Sequence, residues 1–155
     1  MKNYKINMCG FNGFYSNSAS NFNNIIHKMN KAISHRGPDS NGYWVDKNSG
    51  LILGHQRLSI LDLSINANQP MHSSSGRFVL VYNGEIYNHL QIREELEISK
   101  ADIKWKGKSD TQTLLEAIEF WGIENTLNKI DGMFAFGLWD KKKRCLTLAR
   151  DRVEK

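Results

Sequence analysis

Apolar residues recur every three or four positions in four parts of the chain, as they do on the buried face of an amphipathic helix. This spacing predicts helices over residues 22–33, 88–96, 110–121 and 123–130. Ser20, Asn88 and Asp110 lie at or just before the starts of the first three, and each carries a side-chain oxygen that can cap a helix N-terminus. The pattern therefore predicts four short helices, three of them capped.

Between these helices, short runs rich in β-branched and aromatic residues predict strands. The predicted strands cover residues 9–15, 42–45, 51–57, 78–82, 133–139 and 145–149. The last two flank a basic turn and predict a hairpin, and the Asn83-Gly84 pair after residue 82 is typical of a type I′ hairpin turn. Because strands and helices are grouped rather than strictly alternating, we expect largely antiparallel sheets and an α+β fold class.

Composition narrows the class of protein. The 155 residues are 40% apolar and 24% charged, which is usual for one globular domain. No apolar stretch approaches the roughly 18 residues of a membrane-spanning helix, and the N-terminus lacks the apolar core of a signal peptide. We therefore expect a cytoplasmic protein with no membrane partner. Cys9 and Cys145, the two cysteines, can form neither a disulfide framework nor a tetrahedral zinc site, so no metal is expected.

The charge balance gives little indication of a partner. The formal net charge is +5, which permits weak electrostatic binding of nucleic acid. The basic residues lie in short runs, mainly at 104–108 and 141–144, and such runs are typical of solvated turns. We expect no nucleic-acid partner, and a small basic binding protein remains an alternative that a steep salt dependence of binding would reveal.

Five polar motifs occur where secondary structure alone does not require them. They are Met8-Cys9-Gly10, the segment HRGPDS at 35–40, GHQRLSI at 54–60, NGEIYN at 83–88 and ARDR at 149–152. Together and in this order they resemble the glutaminase domain of glutamine-hydrolysing asparagine synthetases, a branch of the class II glutamine amidotransferases. The resemblance extends from residue 8 to residue 152, nearly the whole chain.

The resemblance implies an N-terminal nucleophile hydrolase fold, which is a four-layer αββα sandwich of two antiparallel sheets between helical layers. In this class the first residue of the mature chain is the catalytic group. We therefore expect residues 1–8 to be an N-terminal extension and residues 9–155 to be the glutaminase domain, truncated at its C-terminus, with the synthetase domain absent. The sandwich is then expected to be incomplete, and a chain that keeps residues 1–8 is expected to be inactive.

The resemblance assigns three catalytic positions. Cys9 is the nucleophile, since a thiolate is a strong nucleophile and a free α-amino group, with a pKa of about 7.7 to 8.0, can take its proton. The side-chain amide of Asn83 and the backbone N–H of Gly84 form the oxyanion hole for the substrate's amide oxygen. Taken alone, Cys9 is better explained as a small buried residue at the start of a strand, and Asn83-Gly84 as a hairpin turn; the set of motifs together reverses this preference.

Substrate binding is assigned to the same pocket. Arg57 corresponds to the arginine that binds the α-carboxylate, a task for which a guanidinium can donate two parallel hydrogen bonds. Asp110 corresponds to the residue that holds the substrate ammonium, and Glu85 lines the pocket beside it, as Asn83 and Gly84 also do. Asp110 can also be a helix N-cap, and both roles are compatible.

The expected function is hydrolysis of glutamine to glutamate and ammonia for asparagine synthesis from aspartate. The partners are then glutamine and a synthetase domain or chain, and a homodimer of the longer protein is left open. No cofactor is expected in residues 9–155, with ATP and Mg confined to the missing synthetase domain. Two alternatives remain: an amidotransferase of the same family that modifies a sugar acid in surface-polysaccharide synthesis, and an inactive truncated remnant.

Overall fold

The computed structural model of the chain describes residues 8–16, 22–58, 67–99 and 103–152. Within these ranges the secondary-structure elements, in chain order, are β1 (Gly10–Tyr15), α1 (Phe22–Ala32), β2 (Ser40–Asp46), β3 (Leu51–Arg57), β4 (Met71–His72), β5 (Phe78–Ile86), α2 (His89–Ser99), α3 (Asp110–Trp121), α4 (Ile123–Lys129), β6 (Gly132–Asp140) and β7 (Cys145–Arg150). No helix in this part of the chain is both long and apolar enough to cross a bilayer.

The strands form two antiparallel sheets. The three-stranded sheet has the order β1-β3-β2, and the four-stranded sheet has the order β4-β5-β6-β7. The predicted hairpin of β6 and β7 and the predicted β3 are confirmed. The two-residue β4 was not predicted, because two residues are too few to show a period of hydrophobicity.

The two sheets pack face to face through an apolar layer. Leu51 and Leu53 of β3 contact Val79 and Val81 of β5, and Trp139 of β6 completes this layer. These side chains alternate along each strand with residues that point to the opposite face of the sheet. The first core of the protein therefore lies between the sheets.

A second core covers the other face of the four-stranded sheet. Leu80 of β5 and Phe136 of β6 pack there against Leu114, Leu115 and Ile118 of α3. Helix α1 packs on the outer face of the three-stranded sheet, where the Asn30 side chain donates to the carbonyl of Gly42 at 3.1 Å. The order of layers is helix, sheet, sheet, helix, which confirms the predicted four-layer αββα sandwich and the α+β class.

Two of the predicted helix caps are wrong, and the third, Ser20, lies outside the described residues. Ser109, not Asp110, caps α3, and its side chain accepts the N–H of Gln112 at 3.3 Å. Asn88 precedes α2, but its side chain donates to the carbonyl of Lys129 and accepts the N–H of Asp131. The side chains of Asp110 and Asn88 bond to residues that are distant in the chain. A local sequence pattern cannot reveal such partners.

His55 joins the two sheets by a hydrogen bond. Its side chain is 1% exposed, and its Nε2 lies 3.0 Å from the carbonyl oxygen of Tyr82 in β5, so Nε2 carries the hydrogen. Its Nδ1 is buried without a partner. Burial lowers the pKa of His55 to about 4, and the positive charge of Arg57 acts in the same direction. His55 is therefore neutral in the folded protein at neutral pH.

We predict that this histidine makes the protein less stable in mild acid. Below about pH 6.5 the unfolded chain binds a proton at His55, whereas the folded protein does not until about pH 4. The free energy of unfolding is expected to fall by about 3 kcal/mol from this group as the pH drops from 6.5 to 4. Urea denaturation at a series of pH values between 7 and 4 measures this fall in the free energy of unfolding.

The variant His55→Gln supplies the comparison, because glutamine keeps an N–H donor but does not titrate. The difference in unfolding free energy between wild type and His55→Gln should change with pH by the amount given above. A difference that stays constant between pH 7 and pH 4 would show that His55 does not carry this acid sensitivity.

Candidate active site

Cys9 lies where the start of β1 meets the end of β3. Its Sγ accepts the backbone N–H of Leu58 at 3.2 Å and lies 3.4 Å from the Leu58 carbonyl oxygen. Its carbonyl oxygen accepts Nε–H of Arg36 at 3.2 Å. The thiol and the backbone of the predicted nucleophile are thus held by groups from two different segments.

The electrostatic surroundings of Cys9 favour the protonated thiol. Burial raises the pKa of the Cys9 thiol above its usual value, and the negative charge of Asp110 adds to this. The Leu58 amide and the positive charge of Arg57 lower the pKa, but they only partly offset the burial. Reaction at this sulfur therefore requires a base that removes its proton.

Residues 33–39 form a loop that lies across the end of β3. The N–H of Asp39 donates to the Arg57 carbonyl at 3.0 Å, and Arg36 reaches Cys9 as described above. A Cβ at Gly37 would lie 2.5 Å from the carbonyl oxygen of Gln56, so this close approach requires glycine. The HRGPDS motif thus holds the backbone of Cys9 through the Arg36 side chain and the backbone of Arg57 through the N–H of Asp39.

Arg57 is the last residue of β3 and is only 7% exposed. It alternates with Leu53 and His55 on the face of β3 that packs against the four-stranded sheet, so its side chain enters the layer between the sheets. Its Nη1 donates to Oδ1 of Asn68 at 2.7 Å, and the same oxygen accepts the Ser40 hydroxyl at 3.3 Å. The guanidinium is therefore oriented by a neighbouring amide.

Asp110 is the first residue of α3 and is 4% exposed. Its Oδ2 accepts the hydroxyl of Tyr82 at 2.7 Å and the N–H of Ile86 at 3.0 Å. Its Oδ1 accepts the N–H of Thr111 at 2.9 Å. A carboxylate in the first turn of a helix is also stabilised by the helix dipole. The Asp110 carboxylate is therefore fixed from both β5 and α3.

Asn83, Gly84 and Glu85 lie inside β5, not in a turn after it. Asn83 pairs with Ala135 and Gly84 with Phe134 of β6, so the hairpin-turn interpretation is wrong. Gly84 has a φ of 151°, and a Cβ there would lie 2.2 Å from the carbonyl oxygen of Met133. By alternation, half-buried Asn83 shares the face of Val79 and Val81, which packs against the three-stranded sheet.

The predicted site residues converge around one end of β5. Arg57 and Asp110 both act electrostatically on the Cys9 thiol. Burial raises the pKa of Tyr82 far above its usual value, and the charges of Asp110 and Glu85 add to that rise, as does Cys9. Four of the six predicted residues therefore lie in one electrostatic neighbourhood, and Asn83 and Gly84 directly follow Tyr82 in the chain.

Two contributors to this region were not predicted from the sequence. Leu58 contacts the thiol only through its backbone amide and carbonyl, which no side-chain pattern can indicate. Tyr82 ends the apolar run of β5 and was assigned to the strand alone, but its buried hydroxyl reaches Asp110. A tyrosine at the end of an otherwise apolar buried run was the available signal, since a buried hydroxyl needs a polar partner.

A cavity of about 490 Å³ lies elsewhere, at the start of β6 and beside α4. Its lining includes Leu127, Met133 and Arg150, and none of the predicted site residues contributes to it. Within the described residues, no three His, Cys, Asp or Glu side chains are grouped so as to hold a metal ion.

The fold and site together define a class. A four-layer αββα sandwich with a cysteine at the head of its first strand is an N-terminal nucleophile hydrolase fold. The solved structure of glutamine phosphoribosylpyrophosphate amidotransferase from B. subtilis, complexed with ADP and GMP, shares this fold. It is similar with a TM-score of 0.53 and 23% sequence identity, covering 66% of this chain and 23% of that protein's chain.

The chain belongs to the glutamine amidotransferase domain family, whose sequence model matches residues 8–155. Among curated proteins it is 38% identical, over 93% of its length, to asparagine synthetase [glutamine-hydrolyzing] 1 of Bacillus subtilis (strain 168). It is 36% identical, over 94% of its length, to putative asparagine synthetase [glutamine-hydrolyzing] 2 of Methanocaldococcus jannaschii. The matched regions are 22% and 30% of those two proteins, so this chain spans less than a third of either.

We predict that Gly84→Ala is strongly destabilising. The added Cβ would meet the Met133 carbonyl at 2.2 Å in a φ region that side chains rarely adopt. Backbone strain and overpacking together should lower the free energy of unfolding by about 3 kcal/mol or more. Urea denaturation of purified protein measures the loss.

Gly76→Ala is the matched control. Gly76 also has a positive φ, of 74°, but apart from Gly76 and its two chain neighbours no described residue comes within 4 Å of its Cβ position. Gly76→Ala should lower the free energy of unfolding by only about 1 kcal/mol, from backbone strain. Equal losses for the two variants would contradict a specific steric requirement at Gly84.

Proposed function

We propose that this chain is the glutamine-hydrolysing part of an asparagine synthetase that acts in the cytoplasm. The observation that carries the proposal is the convergence of Cys9, Arg57 and Asp110 at the end of β5: a nucleophile with a cation and an anion close enough to act on its thiol. Free glutamine presents the matching set of groups, namely a side-chain amide, a carboxylate and an ammonium.

The amino-acid end of glutamine binds first in this scheme. Arg57 takes the α-carboxylate through its guanidinium, which the bond to Asn68 orients. Asp110 takes the α-ammonium through the acceptor capacity that remains on its carboxylate, with Glu85 beside it. These two contacts place the side-chain amide of glutamine against Cys9.

The chemistry then proceeds through a thioester. The Cys9 thiolate attacks the amide carbon, and the oxygen that becomes negative accepts hydrogen bonds from Nδ2 of Asn83 and the backbone N–H of Gly84. The carbon–nitrogen bond breaks, the nitrogen leaves as ammonia after taking up a proton, and a glutamyl thioester on Cys9 remains. Water attacks this thioester, and glutamate and the free thiol are released.

The base in this scheme is the α-amino group of Cys9 itself. The burial of the thiol makes a base necessary. When residues 1–8 have been removed, the neutral amine of Cys9 can take the thiol proton and later give it to the leaving nitrogen. When residue 8 is attached, that nitrogen is an amide and cannot act as a base, so we propose residues 9–155 as the active domain.

The names of the relatives support a proposal for the fate of the ammonia. Both curated relatives reported above are named as glutamine-hydrolysing asparagine synthetases, and the second of them is putative. We propose that ammonia passes from Cys9 to a synthetase domain or chain, where aspartate accepts it. ATP and Mg would act in that synthetase part, and residues 9–155 would need no cofactor of their own.

We predict that glutamine hydrolysis depends on Cys9 at a free N-terminus. Protein that begins at Cys9 should release glutamate from glutamine, and Cys9→Ala should abolish this release. In the longer protein that includes the synthetase domain, Cys9→Ala should leave synthesis driven by added ammonia intact. Protein that retains residues 1–8, verified by intact mass, should be inactive. Glutamate formation, followed by a coupled assay, is the measurement.

Cys145→Ala is the control, because Cys145 is an exposed cysteine at the start of β7, far along the chain from the site. It should hydrolyse glutamine at the wild-type rate. Full activity in protein that still carries residues 1–8 would refute the N-terminal amine mechanism.

We also predict that Asn83 and Arg57 affect different kinetic constants. Asn83→Ala removes a donor used in the transition state, so kcat should fall by about 100- to 1000-fold. Arg57→Ala removes a charge-assisted contact to the far end of glutamine, so KM should rise by about 10- to 100-fold. Steady-state kinetics of glutaminase activity separates the two effects.

The exposed residue Asn125 on α4 provides the control, since within the described residues its side chain donates to the carbonyl of Trp121 and contacts none of the predicted site residues. Asn125→Ala should leave both constants unchanged. A near-normal kcat for Asn83→Ala would exclude this side chain from the oxyanion hole.

A further inference from the structure

Tyr82 is bonded through all of its polar groups to different parts of the fold. Its N–H donates to Oε1 of Gln69 at 2.6 Å, and its carbonyl oxygen accepts Nε2–H of His55 at 3.0 Å. Its hydroxyl donates to Oδ2 of Asp110 at 2.7 Å. The residue is 3% exposed, so none of these groups is exposed to bulk water.

We propose that Tyr82 is the positioning residue for the ammonium group of glutamine, and that its hydroxyl acts through Asp110. The proposal rests on the proposed function and deepens it, because it names the group that orients the anionic part of the substrate site. Tyr82 does not touch the reacting atoms in this scheme. Tyr82 instead sets the direction in which the Asp110 carboxylate presents an oxygen to the substrate ammonium.

The hydrogen bonds around Asp110 define that acceptor. A carboxylate has about four lone-pair sites, and Asp110 uses two on Oδ2, for Tyr82 and Ile86, and one on Oδ1, for Thr111. Among the contacts of the described residues, the remaining lone-pair site is therefore on Oδ1. The two donors from β5 hold Oδ2 and prevent rotation of the carboxylate, and the Tyr82 hydroxyl is the side-chain member of that pair.

Packing alone does not account for the tyrosine. The ring lies in the second core with Leu80, Phe136 and Leu114, where phenylalanine would fill the same space. A buried hydroxyl is unfavourable unless it is bonded, so its presence is explained by the bond to Asp110. Burial raises the pKa of Tyr82 well above its usual value, so the hydroxyl keeps its proton and remains a donor.

The same residue also relates the two ends of the substrate site. Its side chain reaches Asp110 on the helix side of β5, and the next two residues, Asn83 and Gly84, are the proposed oxyanion donors. Gln69 and His55 fix the Tyr82 backbone from two other segments. The separation between the ammonium site and the oxyanion site is thereby set within one short stretch of β5.

The test is Tyr82→Phe in protein that begins at Cys9. The KM for glutamine should rise about 5- to 20-fold, because the substrate ammonium meets a less well oriented carboxylate, and kcat should stay within about twofold. A second arm uses glutaramic acid, which is glutamine without its α-amino group, as a competitive inhibitor. Its inhibition constant should be the same for wild type and Tyr82→Phe.

Two further variants complete the design. Tyr43→Phe, at a tyrosine that is 40% exposed on β2, is the matched control and should change neither constant. Asp110→Asn should raise KM by itself, and adding Tyr82→Phe to it should raise KM little further, because both changes act on one contact.

The outcomes separate the two proposals. Suppose that wild-type protein hydrolyses glutamine. If Tyr82→Phe leaves KM unchanged, or weakens the binding of glutaramic acid as much as that of glutamine, the positioning role is wrong and the proposed function stands. Additive effects of Tyr82→Phe and Asp110→Asn would likewise overturn it. If wild-type protein with a free Cys9 does not hydrolyse glutamine, the proposed function fails and this inference fails with it.

Discussion

Burial of β5 on both faces is the constraint on which the rest of the structure depends. Val79 and Val81 pack against the three-stranded sheet, whereas Leu80 and Tyr82 pack against α3. A strand held in this way cannot shift its register without moving polar groups into apolar layers. The proposed oxyanion donors, Asn83 and Gly84, directly follow the part of β5 that is buried on both faces.

The surroundings of Cys9 show a balance between burial and charge. Burial raises the pKa of the thiol, and Arg57 only partly offsets this. A thiol that holds its proton is protected from adventitious reaction, but it requires a base for catalysis. This is the environment expected of the proposed nucleophile, whose base is its own α-amino group.

Much of the local structure could be predicted because its cause is local. The strand over Leu51–Arg57 and the helix over Asp110–Trp121 follow from short-range hydrophobic patterns. The predictions that failed were made on polar residues with long-range partners. Asn88 bonds to the segment before β6 rather than capping α2, and Asn83-Gly84 continues β5 because β6 pairs with it.

The sequence by itself determined the family and most of the elements, and it supplied the candidates for the residues that carry the proposed chemistry, since each of these is written in short motifs. Tertiary structure alone decided how those residues are held. Leu58 contacts Cys9 from 49 positions away, and Tyr82 reaches Asp110 from 28 positions away. Such contacts depend on how two sheets and a helix pack, and packing is set by the sum of many weak contacts that no short segment of sequence contains.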